Sequence, residues 1–201
     1  MRNLLPSLIV ALLVTGCTDV EHDHDHDHDH EVLTTVILNF TDDAAGTTES
    51  FEWADPEDDG DPVIDAILLT DGSSYTLDVE LWNELEDPAE DVTSEIGDEA
   101  DEHQFFFTGS AVQGPATGTN DEAIVEHSYD DDDGVLPLGL ENSVTTLGMG
   151  SGEFVVTLRH LPEENGAAVK VAGLAEDVAA GGFGSIGGAN DIQVTFDLTV
   201  Q

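Results

Sequence analysis

Basic residues are nearly missing from this chain. Three lysines and arginines stand against 45 aspartates and glutamates, a formal net charge of −42 over 201 residues. Phosphate recognition needs clustered Lys and Arg, so a nucleic-acid surface is excluded, as is a basic stripe docking on anionic lipid. There is 1 cysteine, so no internal disulfide can form. Aromatics make up 6% and apolar residues 39% of the chain, below the roughly 45–50% of an average domain. The apolar residues nonetheless cluster in strand-like runs, enough for one medium domain with its own core. Enzyme signatures are missing too: the chain has no G-x-S-x-G and no H-E-x-x-H, and no cysteine follows Cys17. The glycine-rich stretch Gly181–Asn190 lacks the preceding strand, Lys and Ser/Thr of a phosphate loop. Carboxylates are too numerous to single out a catalytic pair. The chain is not expected to be an enzyme.

What is present begins with an address. Arg2 precedes the apolar run Leu4–Val14, which is shorter than the roughly 20 residues needed to span a bilayer and has the form of a signal peptide. Val14-Thr15-Gly16-Cys17 resembles a bacterial lipobox. The resemblance implies a signal peptide over residues 1–16, diacylglycerol on Cys17 and a further acyl chain on the new N-terminus. Two or three chains hold a protein stably on a membrane, so the expected location is the outer membrane or cell surface. Asp19 and Glu21 bear a weak likeness to the surface-export signals of Bacteroidetes lipoproteins.

Residues 17–31 form a low-complexity tract in which His22, His24, His26, His28 and His30 alternate with Asp23, Asp25, Asp27 and Asp29. Nothing in it can build a core, and a disordered tether is expected. From residue 32 to residue 201 the texture is that of strands. Candidates are Val32–Phe40, Glu49–Ala54, Ala66–Thr70, Tyr75–Leu85, Gln104–Thr108, Ala123–Tyr129, Val144–Met149, Glu153–His160 and Asp191–Val200, separated by turns such as Asp71-Gly72. Tyr75, Leu77, Val79 and Leu81 alternate with Thr76, Asp78, Glu80 and Trp82, the period of a half-buried strand. Phe154, Val156 and Leu158 repeat the pattern, and so do Ile192, Val194, Phe196, Leu198 and Val200. Eight or nine such strands predict an all-β fold, an antiparallel β-sandwich of immunoglobulin-like or jelly-roll type. Pro88–Asp101 and Ala167–Ala180 are the two helical candidates.

The His/Asp tract carries the strongest chemical signal. Neutral imidazole is the commonest protein ligand for zinc-like ions, and carboxylates add charge and hard oxygens. Alternation in an extended chain puts five rings on one face and the aspartates on the other, and a flexible chain can fold two to four rings onto one ion. Capture should weaken below about pH 6–6.5 as the rings protonate. In the domain, His103, His127 and His160 come from three separate strand ends. His103 with Glu99 or Glu102, joined by His160 or His127, would make a zinc site if those ends meet. Asp55, Glu57, Asp59 and Asp61, with Gly60 between, follow the oxygen rhythm of a calcium loop. They lack the twelfth-position Glu (Ala66 stands there) and the flanking helices. Asp130–Asp133 is a second acidic turn.

A lipobox cysteine, the H-D-H-D-H tract, Val32–Leu38, Asp98–Phe107, Pro137–Leu140 and Leu158–Pro162 together make the chain similar to His/Asp-rich lipoproteins of Bacteroidetes and related bacteria. Those are often labelled type 1 periplasmic binding fold superfamily proteins. The two-lobed α/β structure of about 300 residues in that label is not what 201 residues without βα alternation predict. The reading is a surface or outer-membrane lipoprotein whose His/Asp tether captures zinc or another divalent transition metal and passes it to an outer-membrane importer. The alternative is a structural or adhesive acidic lipoprotein, binding calcium or adapted to salt: a charge this one-sided repels itself at low ionic strength, where the Debye length reaches about 30 Å at 0.01 M. A sugar- or peptide-binding module with Trp53 or Trp82 as a stacking platform is the third.

Overall fold

Strand alternation decides which side chains meet across the molecule. The computed structural model describes residues 31–131 and 136–201. Cys17 and the His/Asp tract over residues 22–30 lie outside the described residues. One sheet runs β3 (Val63–Ile64), β2 (Thr48–Ala54), β1 (Thr35–Asp42), β5 (Ser74–Asn83), β10 (Glu141–Thr146), β9 (Val125–Tyr129) and β8 (Val112–Gln113), with β6 (Glu90–Asp91) beside β5. The second sheet runs β4 (Ile67–Leu69), β12 (Ala189–Val200), β11 (Gly150–His160) and β7 (His103–Thr108). The protein is an all-β sandwich, as the alternation predicts.

Val36, Leu38 and Phe40 of β1 and Tyr75, Leu77, Val79 and Leu81 of β5 are buried against Phe154, Val156 and Leu158 of β11 and Val194, Phe196 and Leu198 of β12. Phe40 meets Phe154 edge-on at 6.2 Å between ring centres. Each such side chain contributes about 1.5–3 kcal/mol by leaving water, so this face fixes strand register.

Three features depart from expectation. β4 pairs with β12, and β8 with β9, in parallel, so the sheets are not purely antiparallel. The helices are shorter than the candidate segments: α1 covers Thr93–Asp98 and α2 covers Leu174–Gly181. Gly173, with φ 90°, sits at the α2 N-cap in a left-handed conformation that stops the helix extending backwards. The outer face of the second sheet is also covered. Leu174, Ala175 and Val178 of α2 cluster with Phe106 and Leu161, and Thr157 and Arg159, which alternation alone would leave wet, are buried.

Candidate metal centre

β7 begins where β11 ends, and their antiparallel register sets His103 directly opposite His160. Both follow the inward parity of Phe105 and Leu158, so the imidazoles stand on the core side at one end of the sandwich. They stack with ring centres 4.6 Å apart and planes 14° from parallel. A third group comes from β12. Leu158 pairs with Ile192 but Arg159 pairs with Asn190, which leaves Asp191 as the extra residue of a β-bulge. A bulge re-aims a side chain that strict alternation would send outward. Asp191 Oδ2 accordingly lies 3.6 Å from His103 Nε2, and the Asp191 side chain is fully enclosed. From the other sheet's approach, just before β1, Glu31 brings its Oε2 to 3.7 Å from the same nitrogen.

The ligand atoms of His103, His160 and Asp191 all lie within 4.8 Å of one another, as do those of Glu31, Glu99 and His103. Zinc bonds of about 2.0–2.1 Å place tetrahedral ligand atoms about 3.3–3.4 Å apart. The 3.6 Å between His103 Nε2 and Asp191 Oδ2 therefore needs to close only slightly, whereas Glu31 is grouped with Glu99 and His103 and has to shift to share one ion with His160 and Asp191.

Hydrogen bonding orients the central ring. His103 Nδ1 lies 3.3 Å from the Glu99 carbonyl oxygen, which can only accept, so the proton belongs on Nδ1. The Nε2 atom, wholly buried and without a hydrogen bond, then aims at Glu31 and Asp191. A neutral ring would set a lone pair against two carboxylates, so this corner favours a cation, whether a proton on Nε2 or a metal ion. Burial opposes charge on His103, but Glu31, Asp191 and the Glu99 carbonyl outweigh it and hold its pKa above the ordinary value. Burial likewise raises the Glu31 pKa, and the pull of His103 close by, helped by His160, more than reverses this. A histidine fixed through its far nitrogen by a carbonyl is the usual support for a metal ligand. Glu102 adds a carboxylate oxygen 3.6 Å from His160 Nε2.

Only two basic residues follow residue 31, Arg159 and Lys170. Both are buried, and both hold backbone around this centre. Lys170 Nζ donates to the carbonyls of Ala100 and His103, fixing the entry to β7. Burial pushes its pKa down to about 8 against the pull of Asp131 and Asp101. Arg159 donates to Asn190 Oδ1 and to the carbonyls of Gly187 and Gly188, fixing the turn that delivers Asp191. Gly188 has φ 77°, and a Cβ there would fall 2.1 Å from the His160 carbonyl oxygen. The chain passes His160 so closely that only glycine fits.

The other residues singled out from sequence are placed differently. His127 does not join the centre. It is buried on β9 with Nε2 3.0 Å from Asn142 Oδ1, between Phe107 and Tyr129 at 4.4 and 4.8 Å, and belongs to no metal-sized group among the described residues. Asp55 is buried, and its carboxylate accepts the amides of Asp59 and Gly60 at 3.1 and 2.8 Å, while Asp59 Oδ1 accepts that of Asp61 at 3.1 Å. These carboxylates close their own turn, and Glu57 is exposed. Asp131 caps the amides of Gly139 and Leu140. Trp53 is half-buried and packs against the core. Sequence reasoning missed Asp191, whose bulge leaves no trace in the alternation, and assigned Glu31 to the tether because it continues an acidic run.

No family model, no curated protein and no solved structure matches the chain.

Proposed function

We propose that this chain is a cell-envelope lipoprotein that binds a divalent transition metal, zinc first among them, in a buried site formed by His103, His160, Asp191 and Glu31. The observation that carries the reading is the grouping of His103, His160 and Asp191 from three strands within 4.8 Å of one another, with His103 Nε2 buried and facing Asp191 and, at 3.7 Å, Glu31. Two nitrogens and two oxygens are a donor set suited to zinc-like ions, whereas calcium asks for six to eight oxygens. The His/Asp tract, joined directly to Glu31, supplies a faster-exchanging collector that raises metal concentration beside the site. Acyl chains on Cys17 hold the assembly on the outer membrane or cell surface, where an importer is the receiver. Metabolic labelling with palmitate, retained by the full chain and lost in Cys17→Ser, tests the anchor.

The decisive measurement is calorimetric titration of the full chain with zinc at pH 7.5, calcium serving as comparison. The same titration is made on full chains carrying His22→Ala, His24→Ala, His26→Ala, His28→Ala and His30→Ala together, or His103→Ala alone. One tight site that survives loss of the five tract histidines and disappears with His103→Ala is expected. Zinc binding that follows the tract alone reduces the function to the tether. One observation favours a second reading: with Arg159 and Lys170 buried, the described surface carries no lysine or arginine. Such a surface suits salt or calcium, and zinc bound no more tightly than calcium would make the acidic structural lipoprotein the better account.

A further inference from the structure

The four groups of this centre do not belong equally to the sandwich. His103, His160 and Asp191 stand on three neighbouring strands of one sheet, pinned by the β7–β11–β12 ladder. Glu31 stands on the segment that enters the fold. The first backbone anchor of that segment is Thr34, whose amide donates to the Trp82 carbonyl at 2.9 Å and whose carbonyl accepts the Asp55 amide at 2.8 Å. Upstream of it, Val32 is 46% exposed. Glu31 nevertheless turns inward, with a side chain only 10% exposed, and its Oε2 is buried without a hydrogen bond. A carboxylate on this entering segment, enclosed with an oxygen that makes no good hydrogen bond, incurs the desolvation cost of a charge unless a cation meets it. Among the described residues, the nearest cationic partner in its ion pairs is His103 at 3.7 Å, beyond a good hydrogen bond.

Resting on the metal reading above, we propose that the bound ion is a latch. Three ligands on the sheet hold it, and Glu31, 3.7 Å from His103 Nε2, is drawn in as the fourth, so that metal loading ties down the entering segment at residues 31–34. The site is then closed by four protein groups with no position left for water or substrate, the form of a structural centre. Because the latch adds one ligand from outside the sheet to three on it, removing Glu31 weakens metal binding without abolishing it. Removing a sheet ligand leaves Glu31 nothing to bind through.

Hydrogen exchange tests this on the full chain in which all five tract histidines are replaced by alanine, so that zinc acts only at the domain. Zinc is expected to slow exchange at least ~10-fold in the peptide covering residues 31–35, while the peptide over residues 150–155, at the opposite end of β11 from His160, is unchanged. Glu31→Gln is expected to bind zinc about 10–100-fold more weakly and to show no zinc-dependent slowing. Zinc that binds tightly and leaves residues 31–35 unchanged overturns the latch but leaves the metal site standing. Absence of zinc binding in this chain overturns both.

Discussion

His103 and His127 are matched in burial, at 0% and 1% exposure, and opposed in surroundings. His127 is enclosed by aromatic rings and meets one amide. Asn142 donates through Nδ2 to the Gly139 carbonyl at 2.8 Å, so its Oδ1 is left to accept from His127 Nε2–H, and the ring is complete when neutral. Nδ1 has no hydrogen-bond partner among the described residues, so a second proton there would find no acceptor, and burial drives the His127 pKa down to about 4. His103 is enclosed by carboxylates and a second imidazole, and its corner is complete only when it holds a cation. Burial of a histidine therefore does not by itself mark a site. The mark is what the second ring nitrogen faces: no hydrogen-bond partner among the described residues in one case, two carboxylates in the other.

The sharpest way to break this contrast is to exchange the roles. His103→Ala should weaken zinc binding at least ~70-fold. A structural zinc site is worth about 10–16 kcal/mol, and one ligand of four carries roughly a quarter of it. His127→Gln should leave the zinc constant within about threefold in the same titration. Equal losses from the two variants would show that zinc binding reports the integrity of the sandwich and not a site.

Acid separates the two histidines next. With a folded pKa of about 4 and an ordinary value near 6.5, His127 binds fewer protons folded than unfolded across that window. Its contribution is fully present above pH 6.5 and is lost as pH falls towards 4. At about 1.4 kcal/mol per unit, the wild-type protein should lose about 3 kcal/mol relative to His127→Gln between pH 7 and pH 4. Urea unfolding of both proteins at each pH measures the difference and cancels the titration of the many surface acids they share. A gap that stays constant with pH would mean that His127 is not held neutral.

How much of the comparison the sequence revealed depends on the range of each contact. Alternation in β5, β11 and β12 is local, and it predicted the inward faces and the sandwich. His103 and His160 were visible as ligand types, but their meeting rests on the register between β7 and β11, a pairing across more than fifty positions. Asp191 was hidden for a different reason, since one extra residue in a ladder reverses the face of a side chain. Glu31 was hidden by composition, because it reads as the last acid of a tract and acts as the first residue of the fold. Strands of two residues, such as β3, β6 and β8, carry too few positions for any period to show.

Glycines behind the two rings give a smaller contrast. Gly188→Ala sets a Cβ 2.1 Å from the His160 carbonyl oxygen at a left-handed φ, where strain and overlap add. It should lower stability by about 2 kcal/mol or more and weaken zinc with it. Gly114→Ala sets a Cβ 2.7 Å from the His127 carbonyl oxygen without positive φ. It should cost about 1–2 kcal/mol and leave zinc affinity unchanged. Thermal unfolding and zinc titration of each variant check the pair.

The finest distinction lies in the groups that aim each ring's surroundings. Arg159 reaches no proposed ligand directly in its hydrogen bonds. It grips Asn190, Gly187 and Gly188, the turn from which the bulge presents Asp191. Lysine keeps the charge but cannot fork to three acceptors from a planar group, so Arg159→Lys should loosen Asp191 and weaken zinc about 10-fold. Asn142→Ala removes the partner of the other histidine and should destabilise the fold by about 1–3 kcal/mol with zinc affinity intact. Titration and urea unfolding of these two variants should cross, one changing binding more than stability and the other the reverse. If both variants moved the two quantities in parallel, the carboxylate-lined corner would be one more part of the core.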